Sequence, residues 1–87
     1  MPGIVRKDTD SAGGKEIGGL APTVFADGMM VIVLGDKVAG HGSGKHGGPV
    51  MAEASSTVFA HGIGVCRAGD HANCGHPASG SSDVIVG

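Results

Sequence analysis

Residues 54–70 read ASSTVFAHGIGVCRAGD and repeat residues 20–36, LAPTVFADGMMVIVLGD, at an offset of 34 residues. Thr23/Thr57, Val24/Val58, Phe25/Phe59, Ala26/Ala60, Gly28/Gly62, Val31/Val65, Gly35/Gly69 and Asp36/Asp70 coincide. The same offset carries Gly13-Gly14 onto Gly47-Gly48, and Ser81-Ser82-Asp83-Val84 echoes Ser55-Ser56-Thr57-Val58. The sequence therefore predicts one domain over 1–87, with full copies at about 11–36 and 45–70 and a partial third copy at 81–87. A unit this short cannot bury its own apolar face, so stacked copies must do so together.

Within each copy the local signals are those of strands and turns. Thr23-Val24-Phe25-Ala26, Val31-Ile32-Val33-Leu34, Thr57-Val58-Phe59-Ala60 and Val84-Ile85-Val86 are β-branched runs bounded by Gly, Asp or Ser. Asp27-Gly28 and His61-Gly62 stand between extended runs, where a two-residue hairpin turn belongs. Eighteen glycines leave no stretch with a sustained helical period. The expected fold is all-β: short strands and hairpins in stacked repeats, with almost no helix.

Composition limits what holds such a stack together. In 87 residues there is no Trp or Tyr, and the only aromatics of that class are Phe25 and Phe59 at matching places. A core this thin calls for a staple: a disulfide, a structural metal or a partner. The formal charge of −2 and the scattered basic residues exclude a polyanion-binding signature, so no nucleic-acid partner is expected. No apolar run approaches a membrane span, and residues 1–14 lack the apolar centre of a signal peptide. Assembly in a cytoplasm is the expectation, which argues against a disulfide between the two cysteines.

The staple is legible in the long connections. Residues 36–50 read DKVAGHGSGKHGGPV and residues 70–83 read DHANCGHPASGSSD. Each begins at an equivalent Asp, the first carrying His41 and His46 and the second Cys74 and His76. Folded repeats bring equivalent loops to one end of a stack, where imidazole nitrogens and a thiolate suit tetrahedral zinc. His71 is the alternative ligand. Solvated loop histidines are the plain alternative for His41 and His46. Cys66 occupies the place of Ile32 in an apolar strand and is expected to pack, and His61, the turn counterpart of Asp27, is expected at the surface. Asp36 and Asp70 are expected to cap backbone amides after a strand.

Catalytic readings are weaker. Gly42-Ser43-Gly44-Lys45-His46-Gly47 spells G-x-G-x-x-G with no helix to follow it. A Cys/His nucleophile pair has no third orienting group in view, and four protein ligands would leave a metal no open position for hydrolysis. The expectation is a protein that is not an enzyme.

The repeated T-V-F-x-x-G, the apolar strand ending in Gly-Asp, the Cys-Gly-His loop and the closing S-S-x-V-x-V-G resemble the PAAR-repeat proteins, which sharpen the spikes of contractile injection machines. The resemblance spans nearly the whole chain. The Pro-Ala-Ala-Arg tetrapeptide that names the family is replaced by Met30-Val31-Ile32-Val33 in one copy and Gly64-Val65-Cys66-Arg67 in the other, so only Arg67 matches.

What the resemblance implies is a small cone of short strands and hairpins with pseudo-threefold repeats and a zinc ion at its apex, held by three histidines and one cysteine, a set that His41, His46, Cys74 and His76 would supply. Its base would cap a trimeric β-helical spike, one copy per trimer, through Met29, Met30, Ile63 and residues 84–86. The implied role is to pierce a target envelope at the tip of a type VI secretion spike or a bacteriophage tail. Contact with the target membrane would be transient, with effectors as possible cargo. A chain that closes after its third copy is expected to carry no fused toxin. The rival expectation is a free-standing cytoplasmic zinc-binding adaptor module.

Overall fold

A computed structural model describes residues 2–86; Met1 and Gly87, the two ends of the expected domain, lie outside them. Among the described residues the chain is all-β. Its ladders are three two-residue antiparallel pairs: β1 (Ser11–Ala12) with β2 (Gly14–Lys15), β3 (Phe25–Ala26) with β4 (Met29–Met30), and β5 (Phe59–Ala60) with β6 (Ile63–Gly64). The only helical element among them is a 3₁₀ turn at Gly44–His46.

The β3–β4 and β5–β6 hairpins are the repeat made visible. Their turns carry positive φ at both central residues, 54° and 79° at Asp27-Gly28 and 53° and 76° at His61-Gly62. A two-residue turn with that sign pattern matches the right-handed twist of its strands. The strands expected at 31–34 and 84–86 appear as isolated bridges instead of ladders. The reason is topological: Val31 pairs with Arg6 while Val33, two residues on, pairs with Val65. A strand that changes neighbour this quickly cannot build a ladder with either.

Those bridges close a ring. Ile32 donates its amide to Val5, Val5 to Cys66 and Cys66 back to Ile32, at 3.0, 3.1 and 2.8 Å. One level away, Lys7 donates to Met30, Leu34 to Gly64 and Ala68 to Gly3. A further cycle runs from Ile17 to Lys37, Ala52 to His71 and Ser79 to Ser11. Each ring has one member from each of three structural copies, so the pseudo-threefold is a property of the hydrogen bonding.

The third copy is split across the two ends of the chain. Residues 81–86 begin it and residues 2–12 complete it: Ile4 donates to Val84 as Val65 does to Val58 and Val31 to Val24. Gly3 bridges Ile85, and Val86 donates to Pro2, where the other two copies have hairpins. In the second and third copies the serine that opens the strand, Ser55 or Ser81, accepts amides two and three residues on. The aspartates also correspond. Asp36 accepts the Val33 amide at 2.7 Å, Asp70 the Arg67 amide at 2.8 Å and Asp10 the Arg6 amide at 2.9 Å. These carboxylates cap backbone amides, as expected of Asp36 and Asp70.

Hydrogen bonding also fixes which residues share a level on the axis. Gly35 donates to Met51, Gly69 to Ala78 and Asp8 to Glu16, so Glu16, Met51 and Ala78 are equivalent. That register is one residue off the alignment of Gly13-Gly14 with Gly47-Gly48, because the loop before Met51 has taken up an extra residue. One buried cluster holds Val5, Ile32, Cys66, Met51, Ala78, Ala12, Val38, Ala72 and Cys74. A second holds the hairpin residues Ala26 and Ala60 with Ile4, Val31, Val33 and Val65. The first cluster reaches the histidine loops through Cys74, and the second belongs to the hairpin end.

Candidate metal centre

Three connections leave the axial ring that Ala12, Val38 and Ala72 occupy, and they differ in length. One is the bend at Gly13 between β1 and β2, one is 39–48 and one is 73–76. The 39–48 loop is pinned at its neck by the His41 amide donating to the His46 carbonyl at 2.8 Å, and the 3₁₀ turn Gly44–His46 lies inside it. In the shorter loop Gly75 donates to Ala72 and Ala72 to His76, which holds Cys74 and His76 close together.

The donor atoms of His41, His46, Cys74 and His76 all lie within 4.8 Å of one another. His46 Nδ1 is 3.2 Å from His41 Nε2, and Cys74 Sγ is 3.7 Å from the same nitrogen. Donors about 2.0–2.3 Å from a shared tetrahedral ion would stand roughly 3.3–3.8 Å apart, so these pairs have the spacing of a common ligand shell. The three rings meet at inclined angles, with centroids 4.9–5.2 Å apart. Cys74 is buried, and His41 and His46 are half-buried.

The protonation states of the rings favour ligation. His41 Nδ1 donates to the Ala39 carbonyl at 3.1 Å, which fixes the tautomer and turns the Nε2 lone pair toward the cluster. At His46, desolvation and then the neighbouring His41 and His76 hold the imidazole below its ordinary pKa. A neutral ring at neutral pH is the form that binds a metal. The donor set of three nitrogens and one sulfur in this spacing fits a metal ion.

The remaining candidates are engaged elsewhere. His71, the alternative ligand, meets Glu53 through both its ring Nδ1 and its amide, each at 2.7 Å. His61 meets the Thr23 hydroxyl at 2.6 Å across two neighbouring hairpins. Cys66 is fully buried in the axial ring, its thiol pushed well above its ordinary pKa by burial and by Glu16. Its Sγ lies 3.4 Å from the Glu53 carbonyl. It is a packing residue, as its place opposite Ile32 implied.

Two features escaped the sequence reading. Glu16 is fully buried on the axis, and neither carboxylate oxygen has a hydrogen-bond partner. Burial first, then the charges of Asp36 and Asp10, push its pKa up to about 8. The second is the exposed set Phe25, Phe59 and Ile85, at 56, 57 and 48%. Phe25 and Phe59 begin equivalent hairpins and Ile85 sits at their counterpart in the split copy. Of the base residues expected, Met29, Met30, Ile63 and Val84 are half-buried and Val86 is buried, leaving Ile85 as the open one.

No protein-family model matches the sequence, and no curated protein matches it.

Proposed function

We propose that the protein is a metal-stabilised tip that caps a trimeric β-helical spike, one copy per trimer, with zinc bound by His41, His46, Cys74 and His76. The observation that carries this reading is the set Phe25, Phe59 and Ile85: three large apolar side chains, exposed, at equivalent places of a pseudo-threefold chain. A single chain with three like contacts matches a threefold partner once. An open apolar set of this kind marks a contact surface. The mixed nitrogen and sulfur donors favour zinc over harder ions, and a closed shell of four makes the ion structural. The role is mechanical and not catalytic, in keeping with the resemblance to PAAR-repeat proteins. The tip would assemble in the cytoplasm, travel on a secretion spike or phage tail, and enter a target envelope with or without effector cargo.

The test is a mass measurement on the complex formed with a trimeric β-helical spike protein. One copy per trimer, with about one zinc per chain, is expected. Phe59→Asp should abolish the complex, since a charge forced into an apolar contact costs several kcal/mol. Lys45→Ala, in the metal loop, should leave it intact. Three copies per trimer, or undiminished binding by Phe59→Asp, would sink the model.

A further inference from the structure

Gly13 occupies, in the split copy, the place that Ala39 and Asn73 hold in the other two. It contributes no ligand. Yet a Cβ built on Gly13 would fall 2.6 Å from His41 Nε2 and 2.5 Å from His76 Cδ2. These are two of the four candidate ligands, one from each of the longer loops, and Nε2 is the His41 atom left free by the Ala39 hydrogen bond. Gly13 also carries φ of +84°, so two constraints exclude a side chain there: the backbone conformation and the space already taken by the rings. At Gly14, a Cβ would meet the Ala39 carbonyl and lie 3.0 Å from His41 Nδ1. The bend at Gly13 is thus set against the side of the cluster where His41 and His76 face each other.

We propose that Gly13 is a positioning residue of the metal centre, its bare Cα forming the wall that sets His41 and His76 at ligating separation and bars a fifth ligand from that side. This rests on the reading that an ion is held by His41, His46, Cys74 and His76. The three connections then divide the work: two supply ligands in pairs, and the third supplies closeness. A methyl group at Gly13 would push the two imidazoles apart, and tetrahedral coordination tolerates little displacement of its donors.

The separation of strain from contact is available within the chain. Gly69 and Gly28 have φ of +93° and +79°, and a Cβ at either meets nothing within 4 Å. Gly13→Ala, Gly69→Ala and Gly28→Ala therefore share a backbone penalty, and only the first touches the rings. Zinc affinity would be measured on the full chain by competition with a chromophoric chelator. Gly13→Ala is expected to bind zinc about 10–100-fold more weakly than the parent, as for other changes just outside a ligand shell, with the two controls within about threefold. A Gly13→Ala affinity equal to that of the controls overturns the proposal.

Should Gly13→Ala fail to fold, the unmutated chain decides. With cobalt in the site, the Gly13 α protons should show hyperfine shifts far above those of Gly28 and Gly69. Shifts no larger than theirs overturn the wall. An unmutated chain that takes up no zinc or cobalt would sink the metal reading itself, a result distinct from a chain that binds zinc equally well with Ala at position 13.

Discussion

The hairpin end and the loop end of this molecule treat the same repeat in opposite ways. At the hairpins the copies agree down to the turn dihedrals, and even the split copy reproduces the pairing with its two ends. At the loops nothing is alike: a bend at Gly13, a ten-residue excursion at 39–48 and a four-residue one at 73–76. Three equal copies can form hydrogen-bonded rings about an axis and present three equal contacts. They cannot tetrahedrally coordinate one ion, which needs four donors. Symmetry is kept in the backbone rings and abandoned where the four donor side chains gather.

The hardest way to break this comparison is to remove the ion proposed for the loop end. Structural zinc contributes on the order of 10 kcal/mol in small domains, and the loop end has little apolar burial besides Cys74 and the axial residues below it. Chelation should expose the amides of 39–48 and 73–76 to hydrogen exchange while the ring of Val5, Ile32 and Cys66 stays protected. Cys74→Ser should reproduce that pattern and lose the metal. Cys66→Ser should keep the metal and lower the melting temperature through the core, because it puts a hydroxyl into the buried axis beside Ile32 and Val5. Metal retained by Cys74→Ser and lost by Cys66→Ser would reverse the ligand assignment.

The next test goes to the axis between the two ends. Glu16 stands where the other copies have Met51 and Ala78, and it is the one place where the core departs from apolar character without a hydrogen bond to compensate. Its folded pKa of about 8 lies above the ordinary value of 4.5. The folded chain therefore keeps a proton that the unfolded chain has lost, and stability falls as pH rises from about 4.5 to about 8. The penalty is absent below that window and full above it, amounting to about 5 kcal/mol as an upper bound. Glu16→Met should be more stable than the parent at pH 9, with a smaller gain near pH 4, where only the burial of an unpaired neutral carboxyl still separates the two. Loss of zinc at low pH affects both proteins alike, so the difference between them is the quantity to measure by denaturant unfolding. A difference that does not change with pH would mean that Glu16 finds a partner or water on the axis.

These tests also mark what the sequence could carry. The offset of 34 was legible because Thr-Val-Phe, the turn glycines and Gly-Asp recur, and each recurs for a backbone reason. The four candidate ligands were legible because equivalent loops return to one end, so spacing along the chain did not need to match any known metal motif. The split copy was less so. Its strand opening lies at 81–86 and its ring strand at 4–6, and Arg6 reaches Asp10 four residues on where Arg67 reaches Asp70 after three. Without that copy in register, Glu16 reads as half of a solvated Lys-Glu pair, and nothing aligns it with Met51. Gly13 was visible as a glycine, but its nearness to His41 and His76 depends on two loops closing over it.

The smallest expected effect concerns how equal the three hairpin-end copies are. Ser81 Oγ accepts the Asp83 and Val84 amides, each at 2.9 Å, and donates to Asp27, which belongs to a neighbouring hairpin. Ser55 Oγ accepts the Thr57 and Val58 amides at 3.1 and 3.0 Å. The first copy has buried Ala21 at this place, with its carbonyl accepting the Val24 amide at 3.3 Å. One copy thus manages with a backbone turn where two use a hydroxyl. Ser55→Ala should cost about 1 kcal/mol, the usual net worth of such hydrogen bonds. Ser81→Ala should cost somewhat more, about 2 kcal/mol, because Ser81 Oγ also donates to a carboxylate of another copy, whereas Ser55 Oγ meets the Thr57 hydroxyl two residues on at 3.2 Å. Thermal unfolding of the two variants with zinc bound would read the difference. Equal losses would mean that the bond between Ser81 and Asp27 adds nothing to the contacts that join the copies at the hairpin end.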